Sequence, residues 1–157
     1  MKILILGKNG QVGWELQRAL QPLGQVIALA RKEENGLSGD LSNLQALDVT
    51  IRSVKPDVVV NAAAYTAVDK AESEHESAYL INARAPEVIA NALRVNKGLL
   101  VHYSTDYVFD GSGNEPRAES APTSPVNYYG YSKLAGERLV ANSGCAHLVF
   151  RTSWVYG

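Results

Sequence analysis

The sequence predicts an α/β fold, a doubly wound parallel sheet with helices on both faces. Three observations carry this expectation. Short apolar runs alternate with helix-forming segments along the whole length of 157 residues. The runs are nearly continuous in apolar residues rather than alternating, as strands covered on both faces must be. The first run also passes through a glycine-rich turn directly into a helical segment. Taken in order, Met1-Lys2-Ile3-Leu4-Ile5-Leu6 reads as the first strand, residues 25–30 as the second and residues 57–64 as the third. Residues 98–104 and 147–151 supply two more, and a short strand is expected at residues 37–41. Residues 11–23, 43–54, 73–96 and 128–142 are the crossover helices, with Pro86 expected to kink or divide the third because it has no N–H to donate. Residues 110–127, rich in Gly, Pro, Ser and Asn, read as a surface loop. No internal repeat or low-complexity linker divides the chain, and its length suits one domain.

Composition narrows the class. The chain is 46% hydrophobic and 20% charged with a formal net charge of −1, which gives no support for a nucleic-acid surface. A single cysteine, Cys145, rules out an intrachain disulfide framework and a cysteine-based zinc site, so a reducing compartment is expected. The opening strand runs straight into the glycine turn, leaving no room for a cleavable signal peptide. No apolar run reaches the roughly 18 residues of a membrane span. Cytoplasm is therefore the expected location, with no membrane partner. His75, His102 and His147 show no metal spacing. Glu72, Glu74 and Glu76 read as a solvated helix start near the positive end of the dipole.

Two local patterns carry chemistry. Gly7-Lys8-Asn9-Gly10-Gln11-Val12-Gly13 lies between a strand and a helix start, the arrangement that holds a dinucleotide pyrophosphate on backbone N–H groups in a Rossmann-type fold. Its G-x-x-G-x-x-G spacing is the variation expected of short-chain dehydrogenases. At the end of the second strand, where a carboxylate would take the ribose 2′-hydroxyl of NAD, stand Ala30-Arg31-Lys32. The missing carboxylate and the two cations, Arg31 and Lys32, favour the 2′-phosphate of NADPH, although Glu33 and Glu34 follow and could reach back, and NADH stays open. Asp40 and Leu41 are placed near the adenine.

The second pattern is Tyr129-Gly130-Tyr131-Ser132-Lys133. At 3.6 residues per turn, Tyr129 and Lys133 lie about 40° apart on one helix face, whereas Tyr128 and Tyr131 fall about 140° and 160° from the lysine. A free phenol titrates near pH 10, and a neighbouring ammonium favours its ionised form.

Longer runs carry a resemblance. The glycine turn with Gln11-Val12-Gly13-Trp14-Glu15-Leu16, the run Asn61-Ala62-Ala63-Ala64-Tyr65-Thr66-Ala67-Val68-Asp69-Lys70-Ala71-Glu72, then Tyr103-Ser104-Thr105-Asp106-Tyr107-Val108-Phe109, the Tyr129/Lys133 helix and Arg151-Thr152-Ser153-Trp154-Val155-Tyr156-Gly157 occur in that order. Together they resemble the dTDP-4-dehydrorhamnose reductases, extended short-chain dehydrogenase/reductases, over the whole chain. The resemblance implies hydride transfer from NADPH to the C4 ketone of dTDP-4-dehydro-L-rhamnose, a step in making cell-surface polysaccharide such as O-antigen.

It also implies roles. Tyr129 would be the general acid, Lys133 would lower its pKa and hold the nicotinamide ribose, and Thr105 would supply a hydroxyl near the carbonyl. Gly7, Asn9, Gly10, Gln11 and Val12, with Ala62, Ala63, Ala64, Tyr65 and Thr66, would line the cofactor. Asp106, Tyr107 and Trp154 would join Thr105 at the sugar, with Val68 and Asp69 at the pocket edge. Strand alternation should turn Ser104 away from Thr105. A magnesium ion and a homodimer are left open by the sequence.

Members of this family run to roughly twice this length, with a C-terminal part that closes over the sugar nucleotide. Residues 1–157 are therefore expected to be the dinucleotide-binding portion, a fragment that binds NADPH weakly and turns over poorly. Two other readings share these motifs: an NADP-binding regulatory subunit resembling methionine adenosyltransferase β, and a nucleotide-sugar reductase or epimerase of different specificity.

Overall fold

A computed structural model describes residues 1–156. The strands are β1 (Lys2–Leu6), β2 (Gln25–Leu29), β3 (Val58–Asn61), β4 (Leu99–Thr105) and β5 (Ala146–Thr152). They form one all-parallel sheet in the order β2-β1-β3-β4-β5. The helices are α1 (Gln11–Ala19), α2 (Leu44–Val54), α3 (Val68–Ala71), α4 (His75–Tyr79), α5 (Ala85–Val95) and α6 (Tyr128–Asn142). The order reverses direction at β1, because β2 lies on one side of it and β3 to β5 on the other. Right-handed crossovers then put α1 on one face and α2, α5 and α6 on the opposite face.

Both faces follow strand alternation. Leu4, Leu6, Val59 and Leu100 pack with Leu47 and Ile51 of α2, Ile89 and Leu93 of α5 and Val140 of α6. Ile3, Ile5 and Val60 point the other way, against Leu16 and Leu20 of α1 and its C-terminal edge. Each fully buried Leu or Ile contributes roughly 1.5–3 kcal/mol relative to exposure, so these two clusters dominate the hydrophobic drive for the fold.

Several elements differ from expectation. The third strand ends at Asn61; the Ala62 N–H still donates to the Leu6 carbonyl at 3.0 Å, and Ala63 and Ala64 continue outside any strand. Residues 37–41 form no strand beyond an isolated bridge of Leu37 to Glu34. This segment is fixed instead by contact with α2, with Ser38 N–H donating to Thr50 Oγ1 at 2.9 Å, and a Cβ on Gly39 would stand 2.6 Å from the Ala30 carbonyl. The first helix stops at Ala19 and a 3₁₀ turn over Gln21–Leu23, with Pro22 at its second position, completes the connection. The third helical segment starts at His75, and a wide π turn over Leu80–Arg84 carries α4 into α5. Pro86 sits at the first turn of α5, where its missing N–H does least harm. Last, β5 is covered on one face only: Leu148 and Phe150 are about half exposed, on the face that α1 covers further along the sheet.

Candidate active site

The site lies at the carboxyl ends of the strands, beside the point where the order reverses, which is where open α/β sheets leave a crevice. On its first wall, Gly7 adopts φ +92, a left-handed conformation that favours glycine. The Gly7 and Lys8 N–H groups donate to the Leu29 carbonyl at 3.0 and 3.1 Å, which ties the turn to β2. A Cβ on Gly13 would lie 2.1 Å from the Gly7 carbonyl oxygen, so the glycine lets α1 press onto the turn. No side chain caps α1 at Gly10, and Asn9, Gly10 and Gln11 are exposed with Val12 half-buried. The first-turn N–H groups, which have no partner within a helix, are left facing the crevice, a fitting place for a pyrophosphate. Ala62 and Ala64 line the crevice with side chains no larger than a methyl group.

Arg31 is exposed at the end of β2 and meets Asp40 Oδ1 at 3.5 Å. Burial alone would raise the Asp40 pKa, but the Ser42 hydroxyl and N–H, with the Arg31 charge, hold it below the usual carboxylate value. Leu41 turns into the core and is buried.

The second wall is built from buried polar groups. Asn127 caps α6 by accepting from Gly130 N–H at 2.8 Å, and Glu72 Oε1 accepts from Tyr128 N–H at 2.7 Å. Glu72 is thus a tether for α6, and Glu74 accepts from the Tyr65 hydroxyl at 2.6 Å. Neither is the freely solvated carboxylate that the sequence suggested. The bond to Glu74 raises the Tyr65 phenol to about 12 and draws this side chain outside the set that lines the cleft.

Tyr129 and Lys133 sit one turn apart on α6, over the end of β4. Thr105, Asp106, Tyr107, Tyr129 and Lys133 line one cleft of about 300 Å³ with Gln11, Ala62, Ala64, Thr66, Val68 and Trp154. The Tyr107 ring meets the Tyr129 ring edge-on, with centroids 5.6 Å apart. Thr105 Oγ1 accepts from Tyr107 N–H at 3.2 Å. Burial pushes the Tyr129 phenol above its ordinary value, and the Thr105 hydroxyl pulls it back. Trp154 is 74% exposed at the mouth.

Lys133 is 2% exposed, and its ammonium donates to the Tyr103 carbonyl at 2.6 Å. Burial brings its pKa down to about 8, against an upward pull from Glu137. This differs in detail from the expected pairing, since the ammonium is bonded to the strand rather than to the phenol. The lysine lies over His102, which is wholly buried and held neutral by burial and by the nearby ammonium. Asn61 Oδ1 accepts from Ala63 N–H, so its Nδ2 faces His102 Nδ1 at 3.2 Å. The ring proton then resides on Nε2, which is buried without a partner.

Three residues that the sequence did not single out hold this wall together. Asn82, on the π turn, accepts from Tyr65 N–H at 2.9 Å and donates to the Tyr65 carbonyl and to Ser132 Oγ, each at 3.0 Å. One side chain thereby fixes the segment after β3 to α6. Close approach is allowed by Gly136, where a Cβ would lie 2.1 Å from the Asn82 carbonyl. Proline at position 86 supplies no N–H to that carbonyl four residues earlier. Glu137 and Arg151 form a two-pronged ion pair, with Nε–Oε1 at 3.0 Å and Nη2–Oε2 at 2.6 Å. Ser104, which lines the same cleft as Thr105 despite strand alternation, also donates from its Oγ to Glu137. A larger concavity, about 600 Å³, lies behind this pair beneath residues 110–127, where Arg117 and Arg151 both approach the Phe109 ring. It contains neither Tyr129 nor Lys133 and is separate from the glycine turn.

Among the described residues, no three His, Cys, Asp or Glu side chains converge as a metal site. Nor, among the described residues, is any helix long and apolar enough to cross a membrane.

Residues 1–157 match the family model described as the RmlD substrate binding domain. The dTDP-4-dehydrorhamnose reductase of Escherichia coli K12 is 54% identical over 156 residues, covering 99% of this chain and 52% of that protein. A crystal structure of a dTDP-4-dehydrorhamnose reductase from Clostridium acetobutylicum superposes with a TM-score of 0.92 at 40% identity, over 100% of this chain and 55% of that one. The Bacillus anthracis dTDP-4-dehydrorhamnose reductase, solved in complex with NADP, gives a TM-score of 0.90 at 36% identity, over 99% of this chain and 54% of that one. The chain thus spans about half the length of the relatives it matches.

Proposed function

Because the chain belongs to the RmlD substrate binding domain family, we propose that it forms the cofactor and proton-transfer half of an NADPH-dependent reductase. The substrate is dTDP-4-dehydro-L-rhamnose, reduced at C4 to dTDP-L-rhamnose. The observation that carries this reading is the convergence of Tyr129, Lys133 and Thr105 on a cleft that Gln11 and Ala62, from the glycine-turn side, also line.

A reduced nicotinamide dinucleotide, when bound, supplies the hydride. The first-turn N–H groups of α1 would hold its pyrophosphate, Ala62 and Ala64 would let its ring approach, and Arg31 would meet the 2′-phosphate. The chain's own chemistry is proton delivery. Burial keeps Tyr129 protonated at neutral pH, so its Oη holds the proton that the C4 oxygen needs as it becomes an alkoxide. Thr105 supplies a second hydroxyl beside that oxygen and pulls the phenol towards release. The Lys133 ammonium, fixed by Tyr103 and lining the same cleft one turn along α6, would provide positive charge as the phenolate forms. Tyr107 and Trp154 offer aromatic faces to the sugar. The further length present in the relatives would complete the nucleotide-sugar side of the cleft.

The test is NADPH oxidation with dTDP-4-dehydro-L-rhamnose by the full-length chain and its Tyr129→Phe variant. Loss of a general acid should lower turnover roughly 10²- to 10⁴-fold, while NADPH affinity stays within about twofold. Tight NADPH binding without any turnover would transfer the assignment to a regulatory subunit or to a different sugar nucleotide.

A further inference from the structure

We propose that Glu137, gripped by Arg151 and Ser104, is a positioning residue that holds a negative charge one helical turn from Lys133 and keeps that buried ammonium charged for its work beside Tyr129. The proposal rests on the reading of Tyr129 and Lys133 given above and deepens it.

The geometry makes the case. Lys133 is among the most deeply buried side chains of the protein, and a buried ammonium loses most of its hydration. Its ammonium donates to a neutral carbonyl, that of Tyr103. The groups around it are unequal in charge. From β4 it faces His102, which is held neutral, and Tyr103; from α6 it faces Tyr129, which is protonated, and Glu137. Asp106 stands beyond Thr105, on the exposed side of the cleft. Glu137 is therefore the buried anion in its surroundings. Residues four apart on a helix lie on the same face, so Lys133 and Glu137 are neighbours along α6.

The Glu137 carboxylate accepts three hydrogen bonds, two from the Arg151 guanidinium and one from Ser104. The clamp also joins α6 to both β4 and β5, which carry Ser104 and Arg151 at paired positions in the sheet. The electrostatics runs in the matching direction, since Glu137 opposes the fall in the lysine's pKa.

Arg151 has a double effect. It holds the Glu137 carboxylate in place with two hydrogen bonds, and its own positive charge weakens what Glu137 offers to Lys133. The two partners of this ion pair should therefore influence Lys133 with opposite signs. In Glu137→Gln the ammonium loses its offset and gives up its proton at lower pH. In Arg151→Gln the carboxylate serves Lys133 alone, and the proton is lost at higher pH. A purely structural clamp predicts otherwise, because removing either partner breaks the same tether and the two variants would behave alike.

The experiment uses the full-length chain with two readouts. One is the alkaline limb of turnover against pH with NADPH. The other, independent of turnover, is the pH titration of Lys133 Nζ followed by nitrogen-15 NMR and assigned with Lys133→Met. The expected shifts are about one pH unit downward for Glu137→Gln and a smaller upward shift for Arg151→Gln. Shifts of the same sign, or none in either variant, would overturn the proposal. Should Glu137→Gln fail to fold, the sign in Arg151→Gln alone still decides: upward supports the proposal, and downward or unmoved defeats it. If the wild-type chain shows no reductase activity, the function reading fails while the NMR titration still tests the role of Glu137.

Discussion

The two walls of the cleft are built by opposite means. On the β1–β2 side the working parts are backbone N–H groups, glycines that clear a path, and an arginine standing in solvent. On the β4–α6–β5 side they are side chains taken out of water: Lys133, Glu137, His102, Asn82 and Ser132 are all buried, and each is hydrogen-bonded to another part of the protein. The difference teaches where the fold is vulnerable. Polar groups on the first wall keep water as an alternative partner, so a substitution there should be felt mainly by a ligand. Polar groups on the second have no such alternative, so a substitution there should be felt by the whole domain.

Asn82 gives the largest expected effect on stability. Asn82→Ala leaves the Tyr65 N–H and carbonyl and the Ser132 hydroxyl short of a partner in the interior. An unsatisfied buried group costs about 1–3 kcal/mol, and we expect a total loss of about 3 kcal/mol with partial relief from water. For a domain of this size that lowers Tm by roughly 6–12 °C, measurable by thermal and urea unfolding. A loss below about 1 kcal/mol would mean that the second wall is no more cooperative than the first.

Lys133 sharpens the comparison through its sign. Its folded pKa of about 8 lies below the ordinary lysine value of 10.5, so between those pH values the unfolded chain binds more protons than the folded one. Wild-type stability should therefore rise as pH increases across that window, because the cost of burying the charge disappears as the ammonium deprotonates. Lys133→Met removes that cost at every pH. At pH 7 the variant should be more stable than wild type by about 1–2 kcal/mol, while lacking reductase activity. By about pH 9.5 the gap should nearly close. Urea unfolding at the two pH values checks this, and a variant less stable than wild type at pH 7 would show that the Tyr103 and Glu137 contacts outweigh the desolvation.

The same contrast explains what the sequence disclosed. The sheet was legible because parallel strands buried on both faces need unbroken apolar runs, and Ile3 to Leu6 or Val58 to Val60 can hardly be anything else. The glycine turn and the Tyr129/Lys133 spacing were legible because each is local, complete within seven residues or fewer. The second wall was not. Asn82 finds partners 17 and 50 residues away, Glu137 finds them 14 and 33 away, and His102 meets Asn61 across 41. Such distances carry no spacing signal. One hint was available: an asparagine four residues before Pro86 sits where a helix has a carbonyl to spare. The expected strand at 37–41 failed for a related reason, since the apolar Leu37 and Leu41 are spent on α2 and the core instead of on a sixth strand. The last strand misled differently, because its apolar residues gave no sign that Leu148 and Phe150 would lie half exposed.

Arg31 tests the first wall, where the smallest effect on the fold is expected. Its side chain is 80% exposed and its pairing with Asp40 is long at 3.5 Å, so Arg31→Ala should change stability by less than about 0.5 kcal/mol. The consequence should appear in cofactor choice. A charge-assisted contact to a 2′-phosphate is worth about 1.5–3 kcal/mol, and sharing with Asp40 leaves the lower end of that range. NADPH affinity should thus fall roughly tenfold with NADH affinity unchanged, as read by fluorescence titration of both. Because the contact is exposed, the preference in the wild-type chain should also shrink at high salt. Asp40→Asn provides the reverse control: an arginine released from its carboxylate should favour NADPH further. An equal loss for both cofactors in Arg31→Ala would place the arginine on the shared part of the dinucleotide and leave the preference for NADPH without a cause on this wall. A large loss of stability would break the comparison itself, because it would make the solvent-facing wall as structurally coupled as the buried one.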